Sequence, residues 1–135
     1  MMDGPYVPWM HQAGFDLDHA RVAIQEEHFE WASFAALQAA EKACRALHIA
    51  LKNQTRAFEL TLLLEALPPE RQVPNDVMKH GKALEKHYLN ARYPTMFADG
   101  TPADHYTIRD AEQAIADAEG IIEFCYESLP EGARL

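Results

Sequence analysis

A chain of 135 residues and 15.3 kDa, 48% hydrophobic and 24% charged, has the size and composition of one soluble globular domain. Folding at this mass hides roughly two-thirds of the unfolded surface, which permits a core without metal or disulfide staples. Disorder, collagen and coiled-coil fibre are excluded, and a net charge of −9 argues against a generic nucleic-acid-binding role.

Five helices and no strand are predicted, as an antiparallel four- or five-helix up-and-down bundle in a single all-α domain over residues 1–135. The first helix runs from about Pro8 to Glu27. Pro8 suits a first turn, where its missing N–H is not needed. Ala13, Leu17, Ala20 and Ile24 recur at helical spacing and form its inner stripe.

The second helix, about Glu30 to Lys52, confines Gln38, Glu41, Lys42, Arg45 and Lys52 to one narrow stripe. Its other positions are almost all Ala, Leu, Ile, Phe, Trp or Cys, so it must be covered on most sides. A homodimer through this helix is one expected cover, a small bundle the other. The third helix, Thr55 to Leu67, is expected to turn Phe58 and Leu62 inward and to stop at Pro68-Pro69.

The fourth helix is predicted from Pro74 to Ala91, with Val77, Gly81, Leu84, Tyr88 and Ala91 on its inner face. Lys79, Lys82 and Lys86 share another face. Residues 79–92 hold four Lys or Arg against Glu85 alone, in an otherwise acidic chain. A loop over residues 94–106 follows. The last helix runs from Thr107 to Ser128, opened by a capping box of Thr107 and Asp110. Ala111, Ala114, Ile115, Ala118, Ile122 and Cys125 form its inner face.

The longest apolar candidate, Trp31 to Ala40, is far below the ~20 residues of a membrane span. The opening MMDGPYVPWM has no basic region or long apolar run, so no signal peptide is expected. Cys44 and Cys125 lie in apolar patterns without a CxxC partner and read as buried thiols in a reducing, cytoplasmic setting.

Seven histidines invite a metal hypothesis, but no HExxH or cysteine cluster is present. His80 and His87 are about 10.5 Å apart in rise, too far for one zinc ion. No metal and no cofactor are expected. Glycine-rich nucleotide loops are absent too, so phosphate would have to be held by side chains. The candidates are Arg92, Tyr93, Lys86 and Lys82, with Lys42 and Arg45. Arg offers a planar fork and Lys a mobile charge. At the end of its helix Arg92 could equally cap the C-terminal carbonyls, and Tyr93 could stack on a base or fill the bundle end.

Four segments in order resemble the HEPN domain family. Trp9, Ala13, Asp16-Leu17 and Ala20 resemble its opening helix. Phe34, then Gln38-Ala39-Ala40-Glu41-Lys42-Ala43 and Arg45-Ala46-Leu47, resemble its QAxEKxxKA helix. Tyr88 with Ala91-Arg92-Tyr93-Pro94 resembles its YxxxRYP segment. Tyr106-Thr107 through Ala111, Ala114, Ala118 and Ile121-Ile122 resembles its closing helix.

The resemblance implies a helical bundle, usually homodimeric. It also implies binding of a small nucleotide or of a partner minimal nucleotidyltransferase, as in toxin–antitoxin-like modules. Toxin branches of the family are ribonucleases with an Arg-x(4–6)-His motif. The one match here, Arg21 to His28, lies at the end of the first helix rather than in a late one, and no catalytic residue is assigned. Related sequences often carry a His near the position of Phe58. A binding module is therefore expected. The alternatives are an RNA-cleaving toxin using Arg92 with His87 or His105, and an adaptor without ligand.

Overall fold

The computed structural model describes residues 4–133. Met1, Met2 and Asp3, part of the opening stretch read for a leader, lie outside the described residues. The helices are α1 (Val7–Gln25), α2 (Phe29–Ala50), α3 (Leu60–Glu65), α4 (Asn75–Glu85), α5 (His87–Asn90), α6 (Pro102–His105) and α7 (Ile108–Glu127). Short 3-10 turns cover Pro69–Arg71 and Pro94–Met96, and no strand occurs among the described residues. None of these helices is long and apolar enough to cross a membrane.

A three-residue turn joins α1 to α2. Its backbone closes with Glu27 N–H to the Ile24 carbonyl and His28 N–H to the Ala23 carbonyl. Two long helices joined this way and packed along each other form an antiparallel hairpin. Both α1 and α2 also pack on α7. Ala13, Leu17 and Ala20 of α1 are buried as the spacing predicts, with Ile24 partly so.

The alanine-rich faces of α2 are covered within one chain. Ala32, Ala36, Ala39, Ala40, Ala43 and Ala46 are wholly buried. They meet α1 and α7, while α3, α4 and α5 pack against the helix elsewhere. Alanine lets these backbones approach closely. The composition of α2 therefore does not by itself demand a second subunit. What α2 leaves partly open is its polar stripe and, near its N-terminus, Trp31 and Phe34.

The third element differs from its prediction. Residues 52–59 are not helical; the helix starts at Leu60. Side chains in this stretch offer the backbone better partners than a helix would. Thr55 Oγ1 accepts the Ala57 N–H at 3.1 Å, and Arg45 donates to the Ala57 carbonyl. Asn53 donates to the Ala66 carbonyl at 2.9 Å, pinning the loop to the far end of α3. The inward residues are Leu60, Leu63 and Leu64; Phe58 and Leu62 are exposed, against expectation.

The fourth helix also divides, turning at Lys86 before α5. After the turn His87 and Ala91 face inward and Tyr88 is half exposed, so Tyr88 is not part of the core. The predicted loop 94–106 holds α6 and a second capping box, Thr101 with Asp104. The Thr107–Asp110 box opens α7 as predicted. Cys44 of α2 and Cys125 of α7 are fully buried free thiols with sulfurs 3.6 Å apart. That contact and burial push the Cys125 thiol well above its ordinary pKa.

Candidate functional site

Arg92 follows directly on the last turn of α5. There the backbone tightens: the N–H groups of Arg92 and Tyr93 both reach the Leu89 carbonyl, at 3.1 Å each. The Tyr88 carbonyl is thereby freed, and Arg92 Nε donates to it at 2.6 Å. The guanidinium carbon then lies 4.4 Å from the Tyr88 ring centre, 4.8 Å from that of Tyr93 and 4.9 Å from that of Phe34. Three rings hold the cation through their negative faces.

Arg92 thus caps its helix end while its guanidinium lies against the three rings. Its Nε serves the helix end, and among the described residues no carboxylate pairs with it. Trp31 packs edge-on against Phe34 with centroids 5.9 Å apart. Trp31, Tyr88, Leu89, Tyr93 and Met96 are all exposed. Tyr93 stacks on Arg92 rather than filling the bundle.

Beside this cluster lies a groove of about 680 Å³, between Gln38 and Glu41 of α2 on one side and Glu85 to Asn90 on the other. Phe58, Glu59 and Met96 complete its wall. Glu85 is held by α3, accepting the Thr61 N–H at 3.0 Å and the Thr61 hydroxyl at 2.6 Å. It caps a helix start that has no side-chain cap of its own. Burial lifts the Glu41 carboxyl to about 7, opposed by Lys42 and Arg45 and assisted by Glu85.

The other expected site residues disperse. Lys42 donates to Asp16 at 2.5 Å, and Gln12 holds the other Asp16 oxygen at 2.9 Å. Arg45 donates to the Ala57 carbonyl at 3.1 Å. Lys82 is exposed on α4, and Lys86 overhangs a groove that also carries Glu41, Glu59 and Glu85. Of the basic stretch read from sequence, Lys86 alone lines this groove, beside three carboxylates.

Four of the seven histidines are occupied structurally. His87 is buried and shares a 2.6 Å hydrogen bond with the Tyr106 hydroxyl. Burial and then Lys86 lower its pKa to about 4. His105 donates Nε2–H to the Asp99 carbonyl at 2.6 Å and stacks on Phe97 at 4.4 Å. His80 pairs with buried Asp117 at 2.8 Å. His48 donates to the Leu63 carbonyl and accepts from Asn53. Arg21 is shared by Asp18 and Glu119, which leaves the Arg21–His28 spacing without a site. No group of three or more metal-ligating side chains occurs among the described residues.

Sequence reasoning missed the partnership of Phe34 with Arg92 and the Glu41–Glu85 groove. The spacing of Tyr88 and Arg92, one helical turn apart, was a local signal for their own contact, but Phe34 lies on another helix and no local pattern joins it to Arg92. The second joins helices about 40 residues apart in the chain, and no local pattern marks it.

The family model for the HEPN domain matches residues 6–129. The structure of TT1696 from Thermus thermophilus is similar, with TM-score 0.89 and 37% identity, covering 92% of this chain and 98% of that one. ST0689, described as an archaeal HEPN homologue, gives 0.80 and 30% over 95% and 100% of the two chains. A curated relative from Methanocaldococcus jannaschii, called "Putative toxin MJ1304", is 24% identical over 91% of this chain and 87% of its own length.

Proposed function

The chain belongs to the HEPN domain family, and from that premise we propose that it is a non-catalytic binding module in a toxin-like or adaptor system. Its partner is a minimal nucleotidyltransferase that docks on the aromatic face around Arg92. A homodimer through other parts of α2 would leave that face open on each copy. A small nucleotide held by the partner meets Arg92 with its phosphates.

One observation carries this reading. A guanidinium fixed by three rings and one carbonyl, and unpaired with any carboxylate among the described residues, sits among five exposed apolar or aromatic side chains. Rigid aromatic and Arg anchors of this kind are enriched where protein partners dock. The neighbouring gene is the first test, with a small nucleotidyltransferase expected there. The two proteins, co-expressed, should sediment as one complex that Arg92→Ala or Trp31→Ala disrupts. A complex indifferent to both substitutions defeats the reading, as does a lack of any complex.

The name of the archaeal relative favours a toxin, and the second reading is a toxin that cleaves RNA. It would need a base for the 2′-hydroxyl beside an arginine. His87 is turned into the core and His105 is committed to its own loop, which weighs against it. Induced expression in a bacterial host separates the two. Growth arrest abolished by Arg92→Ala supports the toxin, and undisturbed growth supports the binding module.

A further inference from the structure

The sequence holds two cysteines, and the fold brings them together from positions 81 residues apart. Cys44 of α2 and Cys125 of α7 are wholly buried free thiols whose sulfurs stand 3.6 Å from each other. Among the described residues each thiol has the other as its hydrogen-bond partner. Filling space does not call for sulfur here. Both helices bury alanines in the same core, Ala40 and Ala43 on α2 and Ala114 and Ala118 on α7.

The geometry is close to that of a bond. Disulfide sulfurs lie about 2.05 Å apart, so closing this pair takes about 1.5 Å of approach. Two short side chains, each turning about its own Cα–Cβ bond, share that distance. The helices that carry them already pack along each other.

The seated pair is protected from oxidation. The thiolate is the form that attacks an oxidant, and the contact with Cys44, with burial added, holds the Cys125 thiol well above its ordinary range. A small oxidant reaches the sulfurs when α7 lifts locally from α2. As α7 reseats, the oxidised sulfur meets a thiol beside it, which intercepts it before it gains more oxygen.

We propose that Cys44 and Cys125 form a reversible disulfide bolt between α2 and α7, closed by peroxide and reopened by a dithiol. One thiolate attacks the peroxide O–O bond, gaining an S–O bond and expelling hydroxide, which takes up the proton that the thiol had lost. The second sulfur then attacks the first. The S–S bond forms, the S–O bond breaks, and the hydroxyl leaves with the second thiol's proton. Two thiols and one hydrogen peroxide give one disulfide and two waters. The bolt lies in the core and does not rest on the Arg92 face docking a partner.

The folded full chain, reduced and then exposed to hydrogen peroxide, tests this. Its intact mass should fall by two hydrogens, both thiols should disappear from titration with a thiol reagent, and peptide mapping should join the Cys44 and Cys125 segments. Dithiothreitol should restore both thiols. Cross-linking residues 81 apart restricts the unfolded chain, so oxidation should raise the melting temperature by roughly 10 °C. Cys44→Ala and Cys125→Ala should each abolish that rise. Two free thiols that persist in millimolar peroxide, sulfinic acid in place of the disulfide, a disulfide between two chains, or an oxidised protein that melts no higher than the reduced one overturns the proposal.

Discussion

Glu41→Gln isolates the least comfortable charge in the protein. The nearest cations are engaged elsewhere: Lys42 with Asp16 and Arg45 with the Ala57 carbonyl. Burial therefore wins, and the Glu41 carboxyl rises from 4.5 to about 7. In the unfolded chain the group ionises near 4.5, while the folded protein keeps its proton until about 7. Between those values the folded state binds more protons, so stability falls as pH rises through the window. A displacement from 4.5 to about 7, at ~1.4 kcal/mol for each unit, gives a ceiling of ~3 kcal/mol. The groove admits water, and screening reduces this to about 1–2 kcal/mol. Glutamine keeps the shape and never ionises. Urea unfolding at pH 5 and pH 8 should show the variant gaining about 1–2 kcal/mol on the wild type between the two. Subtracting the two proteins cancels every other titrating group. A variant that instead loses ground at pH 8 would mean that Glu41 works as an ionised partner of Lys42 and Arg45, and the desolvation argument would be wrong.

Other expected outcomes follow from single features. His87 has its pKa lowered from 6.5 to about 4, so the unfolded state takes up the proton first as pH falls. Stability should decline from about pH 6.5 towards 4, and His87→Asn, followed by urea titration, should flatten that decline by about 1–2 kcal/mol. Gly14 lies mid-helix in α1 with open space where a Cβ would be, so Gly14→Ala should stabilise by up to ~1 kcal/mol. In contrast, a Cβ at Gly120 would stand 2.8 Å from the His80 ring. Gly120→Ala should displace His80 from Asp117 and lower the melting temperature despite better helix propensity. Glu27 closes α1 at φ 62°, so Glu27→Gly should stabilise by about 1 kcal/mol in thermal unfolding.

The helix inventory was legible because it depends on neighbours in sequence. The inner faces of α1 and α7 followed from a 3.6-residue period, and the Thr107–Asp110 box from a three-residue spacing. Leu62 and Phe58 were misread because residues before Leu60 are held out of the helix by bonds such as that from Arg45 to the Ala57 carbonyl, while Glu85 of α4 caps the helix start at Thr61. Tyr88 was misplaced for a related reason, since the turn at Lys86 tips the face that follows.

Sequence alone determined an acidic all-α domain and the HEPN resemblance, since periodicity, composition and ordered motifs are local properties. Only the tertiary structure decided which cations stay available. Asp16 takes Lys42, acidic neighbours surround Lys86, three rings fix Arg92 in place without a carboxylate among the described residues, and the end of α2 leaves Lys52 and Arg56 unpaired among them. The free energy of a charge depends on the groups within a few ångströms of it, and folding draws those groups from distant parts of the chain.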